Sequence, residues 1–259
     1  MKVLHVHNVA GVACVIAKFM DRMFNTESLV VMRKIFDKHG LMTYGEAWNC
    51  SAEVFALKVL LLSRKFDIIH VHDFDKIVPW LKRFYRKPVI LHYHGSRIRN
   101  RWNERKKYWS KADVLLYSVK DVEGPNMPSY AVWMPNPVDT DFFKPLNVNR
   151  EPKSALAMTT FLDKEKALEY ASRYNLKLTI KKANVPHKLM PKLLNKFEYY
   201  IDVKTTGFST SKTGLEALAC GCKVINYYGE IVDKLPEEHK PENVASELKR
   251  IYEGLNYEA

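Results

Sequence analysis

Short apolar runs alternate along the chain with longer segments of helical period. Lys2-Val3-Leu4-His5-Val6-His7 is β-rich, Asn8 to Gly11 turns, and Val12 to Arg22 takes helical spacing directly after the glycine. Leu29 to Met32 predicts a second strand, and Ala52 to Arg64 predicts a helix that is apolar on more than one face. Asp67 to His72 reads as a fully buried strand, followed by a helix over Lys76 to Tyr85 and a strand over Pro88 to His94. Asp113 to Tyr117 and Tyr130 to Met134 continue the alternation. A strand–helix rhythm of this kind predicts a parallel sheet flanked by helices, with ligands gathered at the C-terminal ends of the strands. One glycine follows the first strand where a dinucleotide fingerprint needs three.

Pro135 and Pro137, then a polar stretch from Lys144 to Lys153 with Pro145 and Pro152, interrupt the rhythm and read as a linker. It restarts with strands over Ala155 to Thr159, Lys177 to Lys181 and Tyr199 to Val203, and helices over Asp163 to Tyr174 and around Met190 to Lys196. Glu242 to Tyr252 supplies a closing amphipathic helix. The expectation is therefore two Rossmann-like α/β domains facing a cleft, over residues 1–145 and 146–259. The last helix is a candidate to pack back on the first domain. Domain clefts are where ligands gather.

Gly207 to Ile225 carries the most chemistry. It reads as a polar loop with Ser209, Thr210, Ser211, Lys212 and Thr213, then a short helix holding Glu216, a stop at Gly221 and a buried strand. Free backbone N–H groups at a helix start beside a lysine make an anion site. The plainer reading is an ordinary loop–helix–strand unit of an α/β fold.

Composition narrows the partners. The chain has 259 residues, 47% of them hydrophobic, enough for a real core. Its formal charge of +12 favours anionic partners: nucleic acid, an acidic membrane surface or a phosphorylated small molecule. Cys14, Cys50, Cys220 and Cys222 have no disulfide-framework spacing, which fits reduced thiols in the cytoplasm. Neither a signal peptide nor a run of about 20 apolar residues is present, so a soluble protein, at most peripheral at the inner membrane face, is expected.

Three segments together resemble the retaining glycosyltransferases of GT-B fold, in the group-1 family that includes glycogen synthases and lipid mannosyltransferases. Pro135-Asn136-Pro137-Val138-Asp139 through Phe143-Lys144-Pro145 is similar to the family's PNGVD…F.P segment. Gly214-Leu215-Glu216-Ala217-Leu218-Ala219-Cys220-Gly221-Cys222-Lys223-Val224-Ile225 is similar to LEAMACGxPVI, and Ile90 to Gly95 to the strand that delivers an active-site histidine. The resemblance implies a hexosyltransferase-type enzyme that moves a sugar, with retention, from a UDP- or GDP-sugar to a glycan, lipid or protein-linked acceptor. It implies no cofactor and no metal. His94 and Glu216 would be the catalytic residues, Glu216 accepting the donor ribose hydroxyls. Gly11, Ser211, Lys212, Thr213, Gly214, Leu215 and Lys164 would bind the donor, with the N–H groups of Thr213, Gly214 and Leu215 facing its diphosphate. Two positions depart from the pattern: Phe208 stands where the first carboxylate of an E-x7-E pair belongs, and Thr160 where a phosphate-binding arginine belongs. Lys212 is expected to take over part of that arginine's role as a point charge. The same residues allow two other readings, a degenerate transferase that binds nucleotide-sugars or anions, and a GT-B-fold nucleotide-sugar epimerase.

Other polar groups have plainer readings beside sharper ones. His5 with His7, His70 with His72, and His92 with His94 are pairs on one strand face that line a cleft; each would suit a metal in geometry, but no metal is expected. Asp75 reads as an N-cap. Arg97, Arg99, Arg101 and Trp102 begin a basic and aromatic run that would meet an anionic acceptor or acidic lipid headgroups; no nucleic acid is expected, because no binding signature accompanies the charge.

Overall fold

The computed structural model of the chain describes residues 1–256, so the last three residues of the domain expected over 146–259 lie outside them. Contacts divide the chain into two compact units. The first comprises Met1–Pro137 together with the C-terminal helix Pro241–Asn256, and the second is Val138–Lys240.

The first unit contains β1 (Lys2–Val6), α1 (Val12–Phe24), β2 (Glu27–Arg33), β3 (Glu46–Trp48), α2 (Ala52–Ser63), β4 (Ile68–His72), α3 (Val78–Phe84), β5 (Val89–Tyr93), α4 (Trp102–Trp109), β6 (Val114–Tyr117) and β7 (Val132–Trp133). All seven strands are parallel, in the order β3-β2-β1-β4-β5-β6-β7. That is the doubly wound order, whose direction of growth reverses between β1 and β4. Alternation along each strand assigns its two faces. Leu4, Val6, Ile69, Val71 and Leu91 join Phe55, Val59 and Leu81 of α2 and α3 in one layer. Val3, Ile68, Ile90 and Leu116 join Val12, Ile16 and Phe19 of α1 in the other.

The second unit contains β8 (Glu151–Met158), α5 (Lys164–Arg173), β9 (Lys177–Lys181), α6 (Met190–Leu194), β10 (Phe197–Ile201), α7 (Lys212–Ala219), β11 (Lys223–Ile225) and β12 (Ile231–Val232). Its sheet runs β12-β11-β10-β8-β9. It is not wholly parallel, since the edge strand β12 runs antiparallel to β11. The sheet reverses its growth between β8 and β10. The final helix, α8 (Pro241–Asn256), packs on α1 within the first unit: Val244, Ala245, Leu248 and Tyr252 are buried with Val12, Val15 and Met20.

The boundary lies eight residues earlier than the prolines suggest. Val138 and Phe143 are buried in the core of the second unit. The polar stretch after Pro145 is anchored rather than free. The fork of Arg150 donates to Phe197 O at 2.7 Å, to Asn195 Oδ1 at 3.1 Å and to the carbonyl of Cys220. Its polarity and prolines mark this segment as a linker in sequence, but the guanidinium turns it into the entry of the second domain. Cys220 and Cys222, buried beside it, are free thiols whose proton affinity burial pushes up.

Candidate functional site

In the second unit the expected residues gather where the sheet reverses. Ser211 caps α7, its Oγ accepting the Gly214 N–H at 3.2 Å. Behind it, Asp202 at the end of β10 accepts the Ser211 N–H at 2.6 Å and the Ser211 hydroxyl at 2.7 Å. A buried carboxylate thus fixes the loop to the helix start. It also explains the glycine, since a Cβ on Gly214 would sit 2.4 Å from Asp202 Oδ2. Burial raises the Asp202 proton affinity, and the Lys204 ammonium, 3.8 Å away, works against that rise. Lys204 also donates to Thr160 O at 3.0 Å, linking the loops that follow β8 and β10.

Lys212 and Glu216 stand one turn apart on α7 with Nζ and Oε1 separated by 3.5 Å, and both side chains are largely buried. Burial pushes the carboxyl up and the ammonium down, while each charge holds the other partly in place. The pair is a charge-balanced unit. Lys212 is therefore not an isolated cation awaiting an anion. Of the three N–H groups expected to face a diphosphate, two are taken: Gly214 by Ser211 Oγ, and Leu215 by Ser211 O at 3.0 Å. The Leu215 side chain is core. Thr213, half-buried, keeps the one N–H of the three with no acceptor among the described residues. Lys164 is exposed at the first position of α5, which Asp163 caps by accepting the Lys166 N–H at 3.1 Å. Phe208 is exposed and faces Tyr228, with ring centroids 6.2 Å apart. No motif points to Asp202 and Lys204; their only signal in the sequence is two charged residues at a strand's C-terminal end.

In the first unit Gly11 holds φ +78° as the N-cap of α1, a left-handed conformation that favours glycine. Asn8 ties the same turn, its Oδ1 accepting the Cys14 N–H at 3.3 Å and its Nδ2 donating to Leu41 O at 3.0 Å. Beside it the strands bring five imidazoles together. His5 pairs in register with His70, and His72 with His92, because residues two apart share a strand face. The rings are joined by hydrogen bonds: His5 Nδ1 to His72 Nε2 at 3.1 Å, His72 Nδ1 to His94 Nε2 at 2.9 Å, and His94 Nδ1 to Asn136 Oδ1 at 3.1 Å. Ser118 Oγ lies 2.7 Å from His92 Nε2 and 3.1 Å from His94 Nδ1, and His70 Nδ1 lies 2.7 Å from the Tyr252 hydroxyl.

The protonation pattern follows from one end. Asn136, as oriented, presents an acceptor, so His94 Nδ1 donates and its Nε2 accepts from His72; His72 Nε2 then accepts from His5. Every proton in the row points toward Asn136. Burial keeps these rings neutral, lowering His5 and His94 to about 4 and His70, His72 and His92 well below the usual value. Both nitrogens of His94 are engaged, so the ring is a fixed polar surface at the end of β5 and not a spare base.

Two triads, His5-His70-His72 and His72-His92-His94, bring one ring nitrogen each within 4.8 Å of the others. Each triad contains a stacked pair, however: His70 lies 4.2 Å from His72 at 23°, and His72 lies 5.2 Å from His94 at 16°. A metal ion must lie in the plane of each ring that binds it, and stacked rings share no such point without reorientation. The arrangement is that of a hydrogen-bonded array.

Two carboxylates complete this end of the sheet. Asp73, at φ +54°, accepts the His94 N–H at 3.0 Å, and burial raises its proton affinity to about 7, against the lowering charge of Arg97. Asp75 is no N-cap. It accepts the Tyr93 hydroxyl at 2.9 Å and lies 3.4 Å from the buried Arg105 guanidinium.

The basic run does not form the surface expected of it. Trp102 is 3% exposed, donates to Val122 O at 2.7 Å and packs against Tyr93 and Trp109. Arg99 is paired with Asp121 at 2.9 Å, and Arg101 with Glu104 at 2.9 Å. Arg97 alone of the four named residues is exposed without an ion pair among the described residues. The apolar members of the run have been drawn into the core, because α4 must cover β5 and β6 on the side of Tyr93.

No family model matches the sequence, and no curated protein does. Solved structures share the fold. Anabaena Alr3699/HepE in complex with UDP-glucose is 13% identical with a TM-score of 0.55, covering 99% of this chain and 91% of that one. An alpha-glucosyltransferase in complex with UDP-glucose and DNA containing an abasic site is 12% identical with a TM-score of 0.59, covering 99% and 89%. Sucrose-phosphate synthase from Thermosynechococcus elongatus is 10% identical with a TM-score of 0.53, covering 86% and 80%. The likeness is one of fold, and the fold is α/β and GT-B-like, with two Rossmann-like sheets.

Proposed function

We propose that the chain is a glycosyltransferase that takes its sugar from a nucleotide-sugar, acts with retention as in the group-1 family, and holds the donor on its second unit. The observation that carries this reading is the grouping of Ser211, Lys212, Glu216 and Lys204 at the point where the second sheet reverses. A diphosphate arriving at the Thr213 N–H would draw Lys212 away from Glu216. The freed carboxylate, acceptor-only, would then take the two ribose hydroxyls. Donor binding and the breaking of this ion pair would be one event. Lys164 and Lys204 would add positive charge, so no metal or cofactor is needed to neutralise the leaving group. The reaction would run by front-face displacement, the departing phosphate taking the acceptor's proton. His94, with both nitrogens engaged, would wall the acceptor side as a fixed neutral ring, with Gly11 allowing close approach.

Anabaena HepE and the alpha-glucosyltransferase were both captured with UDP-glucose, which makes UDP-sugars the first donors to try, and the DNA of the latter complex puts oligonucleotides into the acceptor panel beside glycans and lipids. The test is a thermal-shift screen with UDP-, GDP- and ADP-sugars followed by turnover across that panel. A ligand present at about 100 times its Kd adds roughly 2.7 kcal/mol to the folded state, a shift of several degrees. A shift with one nucleotide class that Glu216→Ala abolishes is expected. No shift with any of them defeats the reading, and a shift without turnover makes the chain a nucleotide-sugar-binding module.

A further inference from the structure

We infer that α2 and α3 of the first unit form a docking face for an anionic lipid surface. Helix α2 is the segment that the sequence shows as apolar on more than one side. It buries Phe55 and Val59 and leaves Leu57 and Leu61 more than half exposed, with Val54 close to that. On α3, Trp80 and Phe84 are also more than half exposed, one turn apart, with parallel rings at 6.2 Å and 13°. A groove of ≈ 520 Å³ runs between the helices, its walls including Leu57, Leu60, Phe74 and Trp80. A second groove continues from it across Trp80 and Lys76, and a third lies on the far side of α2 beside Leu61. Large aliphatic and aromatic side chains left in water over adjoining helices mark an interaction surface.

Charge selects the partner. The three grooves are edged by six cations, Lys58, Lys65, Lys76, Lys82, Arg83 and Lys111, and by one acid, Glu53. Lys82 is satisfied by Asp113 at 2.8 Å, and the other five stand at the rim of the apolar strip. A second copy of this chain on the same face would set two such rims against each other, which symmetry makes repulsive. Nucleic acid would meet the cations but give Leu57 and Leu61 no apolar partner. A bilayer of acidic lipids answers both features, with acyl chains for the ridge of Leu57, Leu61, Trp80 and Phe84, and headgroups for long cationic side chains that lie along it. The helices lie on the surface and do not cross it: no helix of the described residues is long and apolar enough to span a membrane. The face is distinct from the Arg97 to Trp102 run, whose aromatic member is buried.

The experiment is sedimentation of the full chain with phosphatidylcholine vesicles containing about 30% phosphatidylserine, and with pure phosphatidylcholine vesicles, at roughly 50 and 500 mM salt. Binding to the anionic vesicles at low salt, weakened about tenfold or more by Trp80→Ser/Phe84→Ser and by Leu57→Ser/Leu61→Ser, is the expected result. These side chains are exposed, so both variants keep the parent circular dichroism and Tm, and the Trp80→Ser variant loses the blue shift of tryptophan emission on vesicle addition. No binding to anionic vesicles overturns the proposal, as does binding that neither pair of substitutions changes. Self-association at increasing concentration, abolished by the same substitutions, would hand the face to a second copy and equally overturn it.

Discussion

The two sheets solve the same topological problem with opposite chemistry. At the reversal point of the first, His5, His72 and His94 bond in a row that ends on Asn136, His92 bonds to Ser118 and His70 to Tyr252, and burial holds all five rings uncharged. At the reversal point of the second, the polar groups are charged and matched: Asp202 with Lys204 and the Ser211 N–H, Lys212 with Glu216. A neutral array offers fixed dipoles and tolerates hydroxylated ligands. A balanced set of ions can exchange partners with a phosphate. In the reading proposed above, this difference is the reason for seeking the anion site on the second unit.

The largest predicted effect tests the neutrality of the imidazole array. A ring lowered from 6.5 to about 4 leaves the unfolded chain as the better proton binder across that window, so stability falls as pH falls from 6.5 toward 4. Each ring contributes up to about 1.4 kcal/mol per pH unit, and several act together. Asp73, raised from 3.8 to about 7, holds its proton more tightly when folded and opposes the trend over that range, as do Asp202 and Glu216, whose carboxyls burial also raises, but six imidazoles, His7 included, are lowered against these three. Urea midpoints at pH 8, 6.5 and 5.5, in steps of roughly one unit, should drop steeply at the lowest. A flat profile would mean that the rings are accessible to water.

Next in size is Gly214→Ala. The new Cβ would meet the Asp202 carboxylate, so the Asp202–Ser211 anchor must shift, at about 2–3 kcal/mol by analogy with overpacked cores. Denaturant melts of the variant should show this, and nucleotide-sugar binding should go with it. Retained binding at parental stability would remove the anchor from the argument.

Lys212→Met then leaves the Glu216 carboxylate buried without its partner, a loss of about 2–3 kcal/mol at this largely buried pair, whereas Glu216→Gln is milder. The two differ in readout. In the donor-linked exchange proposed above, Glu216→Gln weakens nucleotide-sugar binding about tenfold by calorimetry, equivalent to roughly 1.4 kcal/mol, with little change in Tm. If Lys212→Met left donor KM and kcat untouched in a folded preparation, the lysine would have no part in binding. The smallest effect is expected at Arg97→Ala, exposed and unpaired among the described residues: Tm within about half a degree of the parent, since a surface change of this kind falls within roughly 0.5 kcal/mol.

Much of the architecture is legible in one dimension. Strand and helix positions follow from period and composition, as with Val12–Phe24 after its glycine and the short β-rich segment Ile68–His72, buried throughout. Short edge elements are not: Glu46–Trp48 and Ile231–Val232 have too few residues to show a period, and the sheet edge defines them. Glu216 and Ser211 could be singled out from a motif, because a local loop–helix unit keeps its chemistry within ten residues. Their partners could not. Asp202 reaches Ser211 from across the loop, and nothing in the spacing says that its carboxylate will occupy the helix start.

The sequence by itself therefore determines two α/β sheets, a capped helix at one strand end, three His-x-His pairs and an excess of positive charge. Those are local properties, set by side-chain period, capping chemistry and composition. Only the tertiary structure decides that five of these six imidazoles become one neutral array, which needs β1, β4 and β5 in register, while His7, past the end of β1 at φ +74°, turns to Phe36 and Phe74, and that Lys212 already has a carboxylate beside it. It also decides which aromatic residues meet water. Trp102 and Trp80 lie in similarly basic surroundings, yet one covers a sheet and the other is left on a two-faced pair of helices that no further element among the described residues covers. Burial is a property of what lies on the other side, and that is never written at the residue itself.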